Sequence, residues 1–381
     1  MIYLDHHATT PVDPAVLDAM LPYFSEKFGN AASRQYRLGW DGQSAVDGAR
    51  AAIAELIGAD AKEIVFTSGA TEANNLALKG VVDAAPADRR HIVTVATEHK
   101  SVLDSCRSLQ RRGCETTVLG VGSDGHVDLD RLRDAVTERT AVVSVMAANN
   151  EIGVLAPLAA IGEIAHAKGA LFHTDAVQAL GKVAFDVAAG IDLASLTAHK
   201  VYGPKGAGAL YVRRRNPRVT LTPMLDGGGH ERGMRSGTLN VPGIVGFGTA
   251  AALAAARMAD ESVRLATLRT RLLEGLERQV SDLVVNGAMD QRLPGNLNVS
   301  FHGVDGEALL VSLCEDIAVS SGAACTAAEP SHVLKALGRS TELALASLRF
   351  GLGRWTTEAE IDLATARVSE VVNRLRALSP V

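Results

Sequence analysis

From about residue 40 onward, short apolar runs and amphipathic helical stretches take turns along the chain, and this alternation leaves few folds open. The runs at 63–66, 91–95, 141–145, 170–172 and 208–212 are short and mainly apolar, the pattern of buried strands. Between them, 71–85, 99–112, 129–138 and 157–168 carry helical spacing. Ahead of them Val46, Ala49, Ala52, Ile53, Leu56 and Ile57 share one helical face that Gly58 is placed to end. Strands separated by helices are joined by crossovers, so the pattern predicts a mainly parallel sheet covered by helices on both faces. In such α/β sheets, ligands collect at the carboxyl ends of the strands.

After about residue 257 the rhythm changes to an amphipathic helix over 261–280, a strand-like N-L-N-V-S-F and a final helix over 357–378. These imply a large domain over 13–257 and a smaller α+β domain built from 1–12 and 258–381. The weakly polar run 241–256, dominated by Gly and Ala, falls short of the roughly 20 apolar residues of a membrane span and reads as a packed helix.

With 381 residues, 47% of them hydrophobic, the chain can bury a sizeable core without staples. A net charge of -5 argues against a general nucleic-acid binder, and Arg213, Arg214, Arg215 and Arg218 read as a solvated loop. The cysteines, Cys106, Cys114, Cys314 and Cys325, show neither disulfide nor zinc spacing, which suits a reducing cytoplasm. The opening M-I-Y-L-D-H-H lacks the apolar core of a signal peptide.

Several residues carry chemistry. Lys200, in T-A-H-K-V-Y-G-P-K-G, follows an apolar run and can form a Schiff base with an aldehyde cofactor; Lys205, between Pro and Gly, reads as exposed. Asp175 closes a strand, where a carboxylate either caps a turn or keeps a pyridine nitrogen protonated. T-S-G-A-T-E-A-N-N at 67–75 either cradles a phosphate at a helix N-terminus or is a glycine turn capped by Thr71. His99 either caps a helix or stacks on a ring and moves protons. Cys325, set among small residues before Pro330, reads as a reactive loop thiol, whereas Cys314 reads as core. Lysine, aspartate and loop cysteine together point to pyridoxal phosphate acting on a sulfur-containing substrate.

Read together, these segments resemble the cysteine desulfurases, pyridoxal-phosphate enzymes of the class V aminotransferase family, and in particular their housekeeping iron–sulfur and thiolation group. The likeness runs through Y-L-D-x-x-A-T-T-P-V-D-P at 3–14, F-G-N at 28–30, I-V-F-T-S-G-A-T-E at 64–72, N-N-E-I-G at 149–153, H-K-x-Y-G-P-K-G at 199–206, G-G-G-H-E-R-G-M-R-S-G-T-L at 227–239 and S-S-G-x-A-C-T at 320–326. It implies the fold of type I pyridoxal-phosphate transferases, with a mainly parallel seven-stranded sheet, and a homodimer.

The resemblance also implies roles. Lys200 is the Schiff-base lysine, Asp175 the partner of the ring nitrogen, Gln178 a donor to the ring hydroxyl, and His99 the stacking group. Ala70, Thr71, Thr197 and His199 match phosphate contacts, and Thr238 matches one supplied to the other subunit. Asn150 and Arg349 match the holders of the substrate carboxylate, Asn150 also facing the cofactor. Cys325 takes sulfur from L-cysteine, leaving alanine and an enzyme persulfide, with the freed Lys200 or His99 moving the α-proton. The persulfide passes to acceptor proteins for iron–sulfur assembly, tRNA thiolation or DNA phosphorothioation.

The sequence departs from that pattern in one place: only T-A-A separates Cys325 from E-P-S. Tethered at Ser320 or Pro330, the thiol reaches at most roughly 17 Å. With the ending L-S-P-V, this leads us to expect a restricted set of acceptors. The competing readings are a selenocysteine lyase, a transaminase or β-lyase of the same fold needing no cysteine, and a non-catalytic scaffold.

Overall fold

The computed structural model describes residues 1–321 and 329–378, so Cys325 lies outside the described residues. Strand β1 (Ile2–Tyr3) opens the chain. The main-sheet strands follow: β2 (Ile64–Thr67), β3 (His91–Val95), β4 (Glu115–Leu119), β5 (Thr140–Ser144), β6 (Leu171–Asp175), β7 (Leu193–Thr197) and β8 (Gly208–Val212). Then come β9 (Leu283–Val285), β10 (Asn296–Phe301), β11 (Ile317–Ala318) and β12 (Ser347–Gly351).

The seven-stranded sheet has the order β2-β8-β7-β6-β5-β3-β4. β4, β3, β5, β6 and β7 pair in parallel, while β8 runs antiparallel to both β7 and β2. The central strands are buried on both faces, which is why they lack the strict apolar–polar alternation of a half-exposed strand. Helices Ala70–Ala84 and Lys100–Gln110 pack on one face through Leu76, Val81, Val102 and Leu109. The other face buries Phe66, Val143, Phe172, Ile161 and Phe247.

Where two helices were expected around residue 257, one helix of 39 residues runs from Val241 to Gln279. Asn240 caps it, accepting from the Gly243 N–H, and Pro242 sits in its first turn. Between the two expected segments the chain offers Ala, Arg, Met, Asp and Glu, with no Gly or Pro to stop the helix. By length and composition it could cross a bilayer, yet half of its most apolar window is packed inside the protein. At Gly248 it crosses helix Arg37–Leu56 so closely that an added Cβ would lie 2.4 Å from the Ala49 Cα. Its first part joins the main core through Ile244, Phe247 and Ala251. Its second part, through Leu268, Leu272 and Leu276, joins a separate core made with β10, β12 and helix Glu358–Leu378.

Two local expectations fail. Cys314 is exposed rather than core: it follows helix Gly306–Leu313, whose buried face is spent on Leu309 and Leu313. Arg213 is not a solvated loop residue but lies 3.2 Å from the buried Asp192 carboxylate and donates to the Ile191 and Val187 carbonyls.

Candidate active site

Parallel strands end at one edge, and the topology alone brings most of the predicted residues there. His99 follows β3, Asn150 follows β5, Asp175 ends β6 with Gln178 behind it, and Thr197 ends β7 ahead of His199 and Lys200. Two antiparallel steps make β2 end at the same edge, and helix Ala70–Ala84 begins there. A cavity of about 640 Å³ opens at this edge, a size that suits a small ligand. Ala70, Thr71, His99, Asn150, Asp175, Gln178, Thr197, His199, Lys200 and Arg349 all line it. Thr238 is exposed and does not line this chain's own cavity.

At one end stands the start of helix Ala70–Ala84. Its N-cap is Gly69, and no described side chain caps it, so of the two readings of 67–75 the Thr71-capped turn is not the one seen. Helix-start N–H groups without a cap are what a phosphate would satisfy. The strand beside it leaves no room for a side chain, since a Cβ on Gly208 would lie 2.5 Å from the Gly69 Cα.

In the middle, the Lys200 Nζ donates to the carbonyls of His7 and Ala8. Burial, reinforced by the positive charge of Arg349, pushes its ammonium down to about 8, while Asp5 and Asp175 pull the other way. The amine is therefore available as a nucleophile near neutrality. Lys205 is exposed at the rim, as expected. His199 is pushed down to about 4 by burial and by Lys200, Lys205 and Lys182.

Asp175 is 4% exposed and accepts one hydrogen bond on each oxygen, from Val177 N at 3.1 Å and Asn74 Nδ2 at 2.8 Å. Asp175 lines the cavity, where a carboxylate can hold a pyridinium. Gln178 is more committed than the sequence reading had it: its Nε2 donates to the His7 carbonyl at 2.9 Å, and its Oε1 accepts from His7 Nδ1 and Lys182 Nζ. Lys182 itself is pushed down to about 7, chiefly by burial and then by Lys200.

At the far end Arg349, on β12, is 7% exposed. Its Nη2 donates to Asp5 Oδ1 at 2.8 Å and Ser320 Oγ at 2.9 Å, and its Nη1 to the Asn150 carbonyl at 3.1 Å. Its Nε is buried without a described partner, a donor suited to a ligand carboxylate. Ser320 and Ser321, just before the undescribed segment, line the cavity. Beyond that segment Ser331 donates to the buried Glu151, and His332 Nε2 meets the Glu98 carbonyl at 2.9 Å.

The site thus includes residues the sequence reading passed over. His7 stood as a variable position inside Y-L-D-x-x-A-T-T, and Asp5 only as part of that motif. Asn74 and Ser101 looked like ordinary helix residues, although Ser101 sits two places after a helix-capping His99, a signal that could have marked it. The donor set as a whole fits pyridoxal phosphate: helix-start N–H groups for the phosphate, a carboxylate for the ring nitrogen, and an amine for the aldehyde.

Comparison with known proteins agrees. The aminotransferase class-V family model matches residues 2–363. A cysteine desulfurase IscS from Anaeromyxobacter sp. (strain Fw109-5) is 58% identical over 382 aligned positions, spanning 100% of this chain and 94% of the relative. Among solved structures, a NifS-like protein superposes with a TM-score of 0.92 at 36% identity, covering 98% of this chain and 100% of the other. SspA, solved in complex with cysteine, gives a TM-score of 0.82 at 35% identity over 94% of this chain and 100% of its own. The chain belongs to the aminotransferase class-V family, on its cysteine desulfurase branch.

Proposed function

We propose that the chain is a pyridoxal-phosphate-dependent cysteine desulfurase. It takes L-cysteine and the thiol of Cys325 and yields L-alanine and a persulfide on Cys325, so one sulfur moves and no external oxidant is needed. The observation that carries the reading is the Lys200 amine, held by two carbonyls between an uncapped helix start and the buried Asp175 carboxylate. When bound, the cofactor supplies an electron-poor ring that stabilises negative charge at the substrate α-carbon.

The chain's own residues do the rest. Helix-start N–H groups at Ala70 and Thr71, with Thr197 and His199, hold the phosphate, and Asp175 keeps the ring nitrogen protonated. Arg349 and Asn150 orient the substrate carboxylate, with Asp5 and Ser320 fixing the guanidinium so that Nε stays free for it. Lys200 moves the α-proton, and Cys325 thiolate receives the sulfur.

The chain works as a homodimer in which Thr238 completes the partner's phosphate site, in a cytoplasm reducing enough to keep Cys106, Cys114 and Cys314 free. The proposed lobes, 13–257 against 1–12 with 258–381, are supported by the two separate cores, although helix Val241–Gln279 belongs to both. The persulfide then passes to acceptor proteins of iron–sulfur assembly, tRNA thiolation or DNA modification.

Mass spectrometry after L-cysteine addition tests the activity. One added sulfur on the Cys325 peptide, with alanine formed in equal amount, is the expected result. Full alanine formation by Cys325→Ser would instead favour a lyase that uses no enzyme thiol.

A further inference from the structure

His99 and Asp175, which both line the cavity, are joined by two residues with no assigned role. Asn74 is fully buried on helix Ala70–Ala84, and its Nδ2 donates to Asp175 Oδ2 and to Ser101 Oγ, both at 2.8 Å. Ser101 Oγ in turn lies 2.8 Å from His99 Nδ1. The Ser101 backbone N–H points at the same nitrogen, 3.1 Å away.

The direction of every hydrogen in this chain is fixed by what each group can do. A backbone N–H only donates, so His99 Nδ1 must carry a lone pair and not a proton. A carboxylate only accepts, so Asn74 turns its NH₂ toward Asp175, leaving its own Oδ1 buried without a described partner. Having accepted from Asn74, the Ser101 hydroxyl has its hydrogen free for the Nδ1 lone pair. The neutral imidazole therefore carries its proton on Nε2.

We propose that Ser101 and Asn74 are positioning residues that lock His99 as the Nε2–H tautomer, presenting a fixed hydrogen-bond donor to the bound cofactor and substrate. In this form Nε2 has no lone pair and cannot take the substrate α-proton. That proton passes from the α-carbon to the Lys200 amine, giving an ammonium. Asn74 gives the arrangement a common reference, since it holds Asp175 and the Ser101 hydroxyl with one NH₂ group. The proposal rests on the desulfurase reading for its chemistry but not for its tautomer.

The test uses the full chain labelled with ¹⁵N-histidine, with and without pyridoxal phosphate, and the His99 signals identified by H99Q. Two-bond ¹H–¹⁵N spectra of the wild type should show Nε2 protonated and Nδ1 bare. In S101A the 2.8 Å hydroxyl bond to Nδ1 is lost while the 3.1 Å backbone N–H still favours the same tautomer, so a minor Nδ1-protonated population should appear beside the Nε2-protonated form. Turnover of L-cysteine should then fall by roughly ten- to a hundred-fold with KM little changed, the cost of a misplaced donor. S101T, which keeps a hydroxyl, should restore both readouts. A proton on Nδ1 in the wild type overturns the proposal, and so does full turnover in S101A. A wild type with the expected tautomer but no desulfuration would remove the proposed activity and leave the network standing.

Discussion

The two ends of the cavity are built from different materials. At the helix start, Gly69, Ala70 and Thr71 offer backbone N–H groups, and Gly208 packs so close that a single methyl would collide. At the other end the buried Arg349 guanidinium is held by two side chains and a carbonyl from three separate stretches, around residues 5, 150 and 320. The N–H groups of the first end lie in one contiguous motif. The second exists only once β1, β11, β12 and the turn after β5 have come together.

That contrast predicts separable defects. The largest is at the side-chain end: R349K loses the fork and the free Nε, so KM for L-cysteine should rise roughly ten- to a hundred-fold while cofactor affinity holds. Steady-state kinetics beside a cofactor titration checks it, and equal loss of both would erase the distinction between the ends. At the backbone end, Gly208→Ala should push β8 off the helix start, costing about 1–3 kcal/mol. The loss should appear as weaker cofactor binding and a lower melting temperature, with KM for L-cysteine spared in the fully loaded enzyme.

Between the ends, the depressed Lys200 ammonium makes a pH prediction. Only the neutral amine attacks an aldehyde, and a lowered pKa supplies it at lower pH. Covalent capture of pyridoxal phosphate by the cofactor-free chain should therefore climb through about pH 8 and level off above it. A midpoint near the ordinary lysine value would show that the amine is not desolvated. The smallest effect belongs outside the cavity, where Cys314→Ser, at an exposed helix end, should change stability by no more than about 0.5 kcal/mol in a denaturant melt.

The same division explains what could be read in advance. The strands at 91–95 and 208–212 announce themselves because both of their faces are buried, and a strand's end fixes where Asp175 and Lys200 stand. β4, an edge strand of Glu, Thr and Thr, escapes notice because one side faces solvent and the apolar run is lost. The single long helix was split in two because its composition changes at residue 257 although nothing there breaks it. Asp5 with Arg349, and Asn74 with Ser101 and His99, could not be paired from spacing, since their partners are set by tertiary packing. Thr71 failed as a cap because Gly69 leads the helix with a φ of 155°, a conformation that suits glycine.

The most direct test of the site is borohydride reduction of the holoenzyme followed by peptide mapping. The account predicts that the pyridoxyl group is fixed on Lys200 and that K200A takes up none. Label on Lys182 or Lys205 in the wild type, or undiminished fixation in K200A, would contradict it.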